Sequence, residues 1–348
     1  MTLLKRLTEA DGLPGFEDDV RKIIQDELGG VASIQMRTDR MGNLIAEKNK
    51  GAKGAASSGG PHIALSAHMD EVGLCVRGID SSGGIQFASW GVDARLLPST
   101  HVRVGPNKLP GVIGTKPIHL QSAAERKSVV GIDKLFIDIG CGTKAECEKL
   151  VALGDFVAFD SRYVEFGEGK VKAKALDDRA GCAAIIEILK QDKPYRLTGV
   201  FCAQEEVGLR GSAVAANGLD ADLVINIEGT VGADMEGVDE NDHVTTQGAG
   251  PALSLVDRTS VYSRKYIDAI VKLADECGIP YQFRRTGAGG TDAGNFHTAR
   301  GGTPCIGIAV PCRYIHSPVS VMDKGDYENL VRLVGCFIKK MNGGAIIK

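Results

Sequence analysis

The sequence has no run of about 18 consecutive apolar residues, so no membrane-spanning helix is expected. It has no basic excess: 41 Lys and Arg stand against 44 Asp and Glu, a net charge of −3 with a pI near 6.2. That balance argues against a dedicated nucleic-acid or anionic-membrane binder. No Cys-x-x-Cys occurs, and the nine cysteines are odd in number and scattered. They read as thiols of a reducing compartment, not as a disulfide framework or a thiolate zinc site. The opening residues carry no apolar leader core or cleavage site, so a cytoplasmic protein is expected. A composition of 43% hydrophobic and 24% charged residues excludes wholesale disorder.

What is present is a chain of 348 residues, which at roughly 150 per domain predicts about two domains. Val20, Ile23, Ile24 and Leu28 share one helical face that ends at Gly29 and Gly30. A strand is expected over 41–47, and the Gly-, Ala- and Ser-rich stretch 51–60 reads as a hairpin loop. Residues 61–70 form a short apolar run ending in polar residues, the pattern of a buried central strand that delivers side chains to a site at its end. From about 72 to 164 the texture changes to short alternating stretches broken by Gly and Pro, with a helix only near 144–150, which predicts a small all-β unit. Beyond 171, strands at 172–176, 197–203, 222–227 and 304–310 alternate with helices at 179–190 and 264–277. Residues 281–284 are extended. A last helix is capped by Asp323 and carries a stripe of Tyr327, Leu330, Val331, Val334, Phe337, Ile338 and Met341. The expected fold class is α/β, a mostly parallel sheet with helices on both faces, with a catalytic domain of 1–70 plus 165–348 and a β-rich insertion at 71–164.

Five polar spots follow the ends of these strands: His68 with Asp70, Asp177 with Asp178, Glu205 with Glu206, Glu228, and His316. Strand C-terminal ends of an open α/β sheet converge on one crevice, so distant segments can assemble one site. Imidazole plus carboxylate suits zinc, cobalt or manganese. Charge favours two ions: Asp177, Glu206, Glu228 and one hydroxide balance two dications, whereas crowded carboxylates without cations repel and protonate. Glu205 and Glu206 would point to opposite faces of a regular strand. Both enter one site only where the strand has broken, one as ligand and the other as general base. Asp70, two residues after His68, is placed to accept the second imidazole N–H. Taken singly each spot has an ordinary reading: Asp-Asp-Arg as a helix cap, Glu-Glu as a solvated face, Glu228 in a loop, His316 in a turn. The joint pattern, five such spots each just after an apolar run, shifts the balance towards a metal site but leaves the ordinary readings open. His62, His101, His119 and His243 read as structural or exposed, and His297 lies after a Gly-rich loop without being a ligand.

The segments 67–73, 175–179, 204–211, 289–294 and 313–317, in this order along almost the whole chain, resemble the M42 family of metallo-aminopeptidases. These are also called glutamyl or deblocking aminopeptidases or TET peptidases, and some relatives carry cellulase or endoglucanase labels. The resemblance implies a phosphorylase/hydrolase-like three-layer catalytic domain with a barrel-like insertion used in oligomerisation. It implies two divalent ions, usually zinc or cobalt. His68 and Glu228 would bind one, Glu206 and His316 the other, and Asp177 would bridge, with Asp70 behind His68. Many relatives have Asp where Glu228 stands. Glu205 would be the general base, the Asp177–Asp178 peptide bond would be cis, and Asp292 is a candidate substrate contact. The expected partners are peptide substrates and further copies of the chain, up to a tetrahedral dodecamer. Two other classes are weighed against this: a glycoside hydrolase, which needs two carboxylates and no metal, and a metal-binding scaffold without turnover.

Overall fold

The computed structural model describes residues 2–49, 60–285 and 287–343. All of the 51–60 stretch except Gly60 lies outside the described residues. The strand Ile63–His68 is buried at every position. It runs parallel between Leu197–Cys202 and Leu223–Val231, and Cys305–Arg313 continues the parallel set beside the latter. Burial on both faces explains why these segments read as continuous apolar runs.

Apart from the short parallel pair Ala252–Ser254 and Gln282–Phe283 at one margin, the sheet is parallel only at this centre, which corrects the mostly parallel expectation. On one side Leu44–Lys48 and Ile34–Thr38 are antiparallel, and on the other so are Ser320–Asp323, Lys170–Ala173 and Val164–Phe166. The connections explain the change: 39–43, 167–169 and 314–319 are short hairpin links, which join only antiparallel neighbours. The first link also trims the strand expected at 41–47. Asp39 accepts the backbone N–H of Met41 at 2.8 Å and of Asn43 at 3.1 Å, and Gly42 turns at φ +96°, so pairing begins at Leu44.

Leu176–Lys190 packs on the central strands, with Thr2–Glu9, Asp18–Leu28 and Lys324–Asn342 against it, while Arg210–Gly218 and Ala293–Thr298 pack together on the other layer. The last helix is capped as expected, Asp323 accepting from Gly325 N at 2.7 Å and Asp326 N at 3.2 Å. Its stripe is buried apart from Val331, which is half-buried.

Gly73–Ile79, Ile85–Trp90, Phe136–Asp138, Leu109–Gly114, His101–Val104 and Phe156–Phe159 close a six-stranded barrel in that order. It has its own apolar centre, including Leu74, Phe87, Val104, Ile137 and Phe159. The helix near 144–150 shortens to Lys144–Cys147. The barrel is fastened to the sheet domain by charge and by contact. Arg103 Nε donates to Asp11 Oδ2 at 3.2 Å, Lys108 Nζ to Asp19 Oδ2 at 2.8 Å, and Leu13 packs on Phe156 and Ala158.

Candidate active site

The parallel centre of the sheet brings the five predicted spots together. His68 is the last residue of its strand and is fully buried. Its Nδ1 faces the Asp70 carbonyl at 3.1 Å, with Asp70 Oδ1 at 3.4 Å. That leaves Nε2 towards Asp177 Oδ1 at 3.4 Å and Glu228 Oε2 at 3.6 Å. His316 repeats the arrangement from the opposite side. Its Nδ1 faces the Gly91 carbonyl at 3.2 Å, and its Nε2 lies 3.7 Å from Asp177 Oδ2 and 3.6 Å from Glu206 Oε2. Thus one oxygen of Asp177 looks at each imidazole. A neutral imidazole that donates from Nδ1 presents a lone pair at Nε2, so in their neutral form both rings would aim an acceptor at acceptors. A proton or a cation between them resolves such a contact, and the imidazole-carboxylate donor set fits zinc-like ions.

Electrostatics agree. Burial, reinforced by the surrounding carboxylates, raises Glu205 and Glu228 well above the ordinary carboxylate range and pushes Glu206 up to about 7, the last partly offset by His316. Burial also pushes Asp177 up, but His68 and His316 beside it win and hold it below its usual value. Burial opposes the His68 imidazolium, yet Asp177 and Asp70 keep its pKa well above the usual histidine value. Without cations, this cluster holds protons that ions would displace.

Local structure accounts for how each group arrives. The strand Leu197–Cys202 ends before Gln204, which sits at φ +56°, so Glu205 and Glu206 lie in a turn and not on a regular strand. Asp70 accepts both their backbone N–H groups, at 2.9 and 3.0 Å. This position is richer than a partner for one imidazole: Asp70 ties the His68 segment to the Glu205–Glu206 turn. The Asp177–Asp178 peptide bond is cis. The helix-cap reading of this pair fits Asp178, whose carboxylate accepts from Gly181 N at 2.9 Å and His68 N at 3.2 Å. Asp177 is the one turned to the imidazoles. Glu228 lies inside a strand that continues to Val231, and Asn226, on the same strand face, donates to its Oε1 at 2.8 Å.

Asp292 is fully buried, its carboxylate accepting from Ser212, while its neighbour Thr291 lines the cleft. The carboxylate therefore supports the helix Arg210–Gly218 and does not line the cleft. His62 is a buried structural group bonded to Thr198 at 2.8 Å, as expected.

Sequence reasoning missed a layer beneath the site. Glu71 is buried with Lys174 Nζ at 2.6 Å and Arg179 Nη2 at 3.3 Å, and Arg179 Nε donates to the Met69 carbonyl at 2.8 Å. It also missed Gly91, a barrel residue, and Gly229, whose N–H donates to Asp177 Oδ1 at 3.1 Å.

The M42 glutamyl aminopeptidase family model matches residues 42–333. The chain belongs to this family. A second model, AMPT, matches residues 1–24. The chain is similar to the putative aminopeptidase FrvX of Escherichia coli K12, 34% identical over 97% of this chain and 94% of that protein. Among solved structures it is similar to a TET aminopeptidase from a marine sediment Thaumarchaeota archaeon, with TM-score 0.91 and 31% identity over 99% of this chain and 98% of the other. It is also similar to Pyrococcus horikoshii TET1 peptidase, described as assembling into a tetrahedron or a large octahedral shell, with TM-score 0.83 and 33% identity over 96% and 98% of the chains. The M42 match makes the chain a metallo-aminopeptidase, a hydrolase acting on peptide bonds. No helix among the described residues is long and apolar enough to cross a membrane.

Gly229 offers a test of the M42 centre. A Cβ there would lie 2.8 Å from Asp177 Cβ and 3.0 Å from its Cγ. Gly229→Ala is expected to displace the Asp177 carboxylate and weaken metal affinity about 10- to 100-fold, the usual cost of disturbing an outer-shell partner, as read by calorimetric titration. Unaltered affinity would place the ligand carboxylate elsewhere.

Proposed function

We propose that the chain removes N-terminal residues from peptides using two divalent ions, zinc or cobalt, and Glu205 as general base. The observation that carries this is Asp177, whose two oxygens each face one imidazole Nε2 while both Nδ1 atoms face carbonyl oxygens. His68 and Glu228 would hold one ion, His316 and Glu206 the other, and Asp177 both. When bound, the ions would lower the pKa of a water and polarise the scissile carbonyl. Glu205 lies within ligand range of His68 and Glu206. Its burial and its carboxylate neighbours raise its pKa above the ordinary carboxylate range. It would take the proton of the attacking water and pass it to the leaving amine. Asp70 would hold Glu205 and Glu206 in register through their backbone N–H groups, and Asn226 would orient Glu228.

We further read residues 71–164 as the unit through which copies of the chain associate. Ile118, Leu120, Val129 and Leu153 are exposed apolar residues there. The tetrahedral and octahedral shells of the TET1 relative support an oligomer of that kind. No observation favours a glycosidase or an inert scaffold over a peptidase.

The test is metal removal. Prolonged treatment with a strong chelator, followed by dialysis, is expected to abolish cleavage of aminoacyl-anilides, and re-addition of zinc, cobalt or manganese to restore it. Full peptidase activity in verified metal-free protein would overturn the proposal.

A further inference from the structure

The cleft that holds the site encloses ≈ 530 Å³. Asn226 forms part of its wall and is fully buried. It lies on the strand Leu223–Val231, two residues before Glu228, and its Nδ2 donates to Glu228 Oε1 at 2.8 Å. An ionised carboxylate only accepts, so the amide nitrogen is the atom that faces it. The amide oxygen, Oδ1, is buried and receives no hydrogen bond. The neighbouring strands do not supply one. On one side Asn226 stands beside Ser66, whose hydroxyl is 3.6 Å from Cys202 Sγ, and on the other beside Gly307, which has no side chain. Among the described residues that line the cleft, Asn226 Oδ1 is the one buried side-chain acceptor without a donor.

Leaving a buried amide oxygen unmet is costly, and a donor that arrives with the substrate would remove the cost. Every aminopeptidase substrate brings such a donor, its terminal ammonium, a single carbon away from the scissile carbonyl. The ammonium therefore arrives beside the residues that hold the ions. In the two-ion reading Asp177 and Glu228 give their lone pairs to the ions, whereas Asn226 stands one hydrogen bond behind Glu228 with its oxygen free. A neutral amide also accepts without adding negative charge to a site crowded with carboxylates. Arg284, another wall residue, cannot take this part. It follows the short strand Gln282–Phe283, its Nη2 donates to the Ala288 carbonyl at 2.7 Å, and a guanidinium has donors only.

We propose that Asn226 is a substrate-binding residue whose Oδ1 accepts a hydrogen bond from the terminal ammonium of the peptide, and so reads the free N-terminus. The proposal deepens the aminopeptidase reading and rests on it. The bond is charge-assisted, and a ligand without the amine cannot make it.

The test uses metal-loaded protein and two ligands, the phosphonic acid analogue of leucine and the same phosphonic acid without its amino group. Calorimetric titration gives both affinities. The native protein is expected to bind the aminated ligand at least about 10-fold more tightly, and Asn226→Leu to lower that ratio about 10-fold, which a hydrogen bond to a charged group supplies. Asn226→Asp keeps an acceptor but loses the donor to Glu228, so it should preserve the ratio while binding metal more weakly. A ratio measured within one protein is insensitive to how much of the variant folds. If Asn226 only orients Glu228, both ligands weaken together in Asn226→Leu and the ratio stands, which overturns the proposal. Loss of the ratio in Asn226→Asp overturns it as well. Equal binding of the two ligands by the native protein overturns it too, while leaving the aminopeptidase reading intact. Failure of the native enzyme to cleave any aminoacyl-anilide overturns both.

Discussion

Glu205→Gln is expected to lower kcat on aminoacyl-anilides by about 10²- to 10⁴-fold, the range that a positioned general base contributes, while the protein retains its metal. The amide keeps the size and the backbone N–H to Asp70 at 2.9 Å, so the turn that carries Glu206 stays in place. What is lost is the group that accepts a proton. Two measurements together decide: steady-state kinetics, and metal content by elemental analysis. A loss of turnover accompanied by a loss of metal would make Glu205 a ligand. Turnover within a factor of about three of native would remove it from the chemistry altogether. The pH profile adds a check, because the limb that reports the base should vanish in the variant.

Glu71→Gln is expected to destabilise the protein by about 3 kcal/mol or more, the cost of removing one partner from a buried ion pair. Lys174, Arg179 and Glu71 are each almost fully buried. Burial lowers the Lys174 pKa even with Glu71 beside it, so the carboxylate is what keeps the ammonium tolerable there. After the change, the nearest carboxylate to Lys174 is Asp11 at 3.6 Å, which already serves Arg103. Urea unfolding at fixed protein concentration gives the measurement, with an unchanged m-value required for the comparison. Adding Lys174→Met should recover part of the loss, since the two sites are coupled. A loss below 1 kcal/mol would mean that water or a neighbour takes over the pairing.

The ends of the central strands were legible because burial on both faces makes each strand a run of apolar residues, and a polar residue just after such a run has one place to be. His68, Glu205 and Glu206 follow that logic, and Glu228 follows the apolar run 223–227 although its strand continues to Val231. Asn226 interrupts that run two residues before Glu228, and the period of two would have found it. The flanking antiparallel strands were harder, since a link such as 167–169 fixes orientation through its length and not through any pattern in the strands. The barrel was recognisable only as texture: its strands are three to seven residues long, too short for alternation to mark each one. Glu71, Lys174 and Arg179 were invisible for a different reason. Charged residues are read as exposed by default, and their pairing spans about a hundred residues of sequence. Arg284 and Gly91 owe their positions wholly to tertiary structure.

Gly91 contributes only a carbonyl, yet that carbonyl belongs to the loop following the barrel strand Ile85–Trp90 and it steadies the ring of His316. The half-exposed imidazole therefore takes its aim from a neighbouring body, not from the segment that bears it. Moving the barrel would move the carbonyl that orients that ring. If His316 holds an ion as proposed, whatever locks the barrel in place, including contact with another subunit, would set how firmly that ion is gripped, and a solitary protomer would be the poorer catalyst.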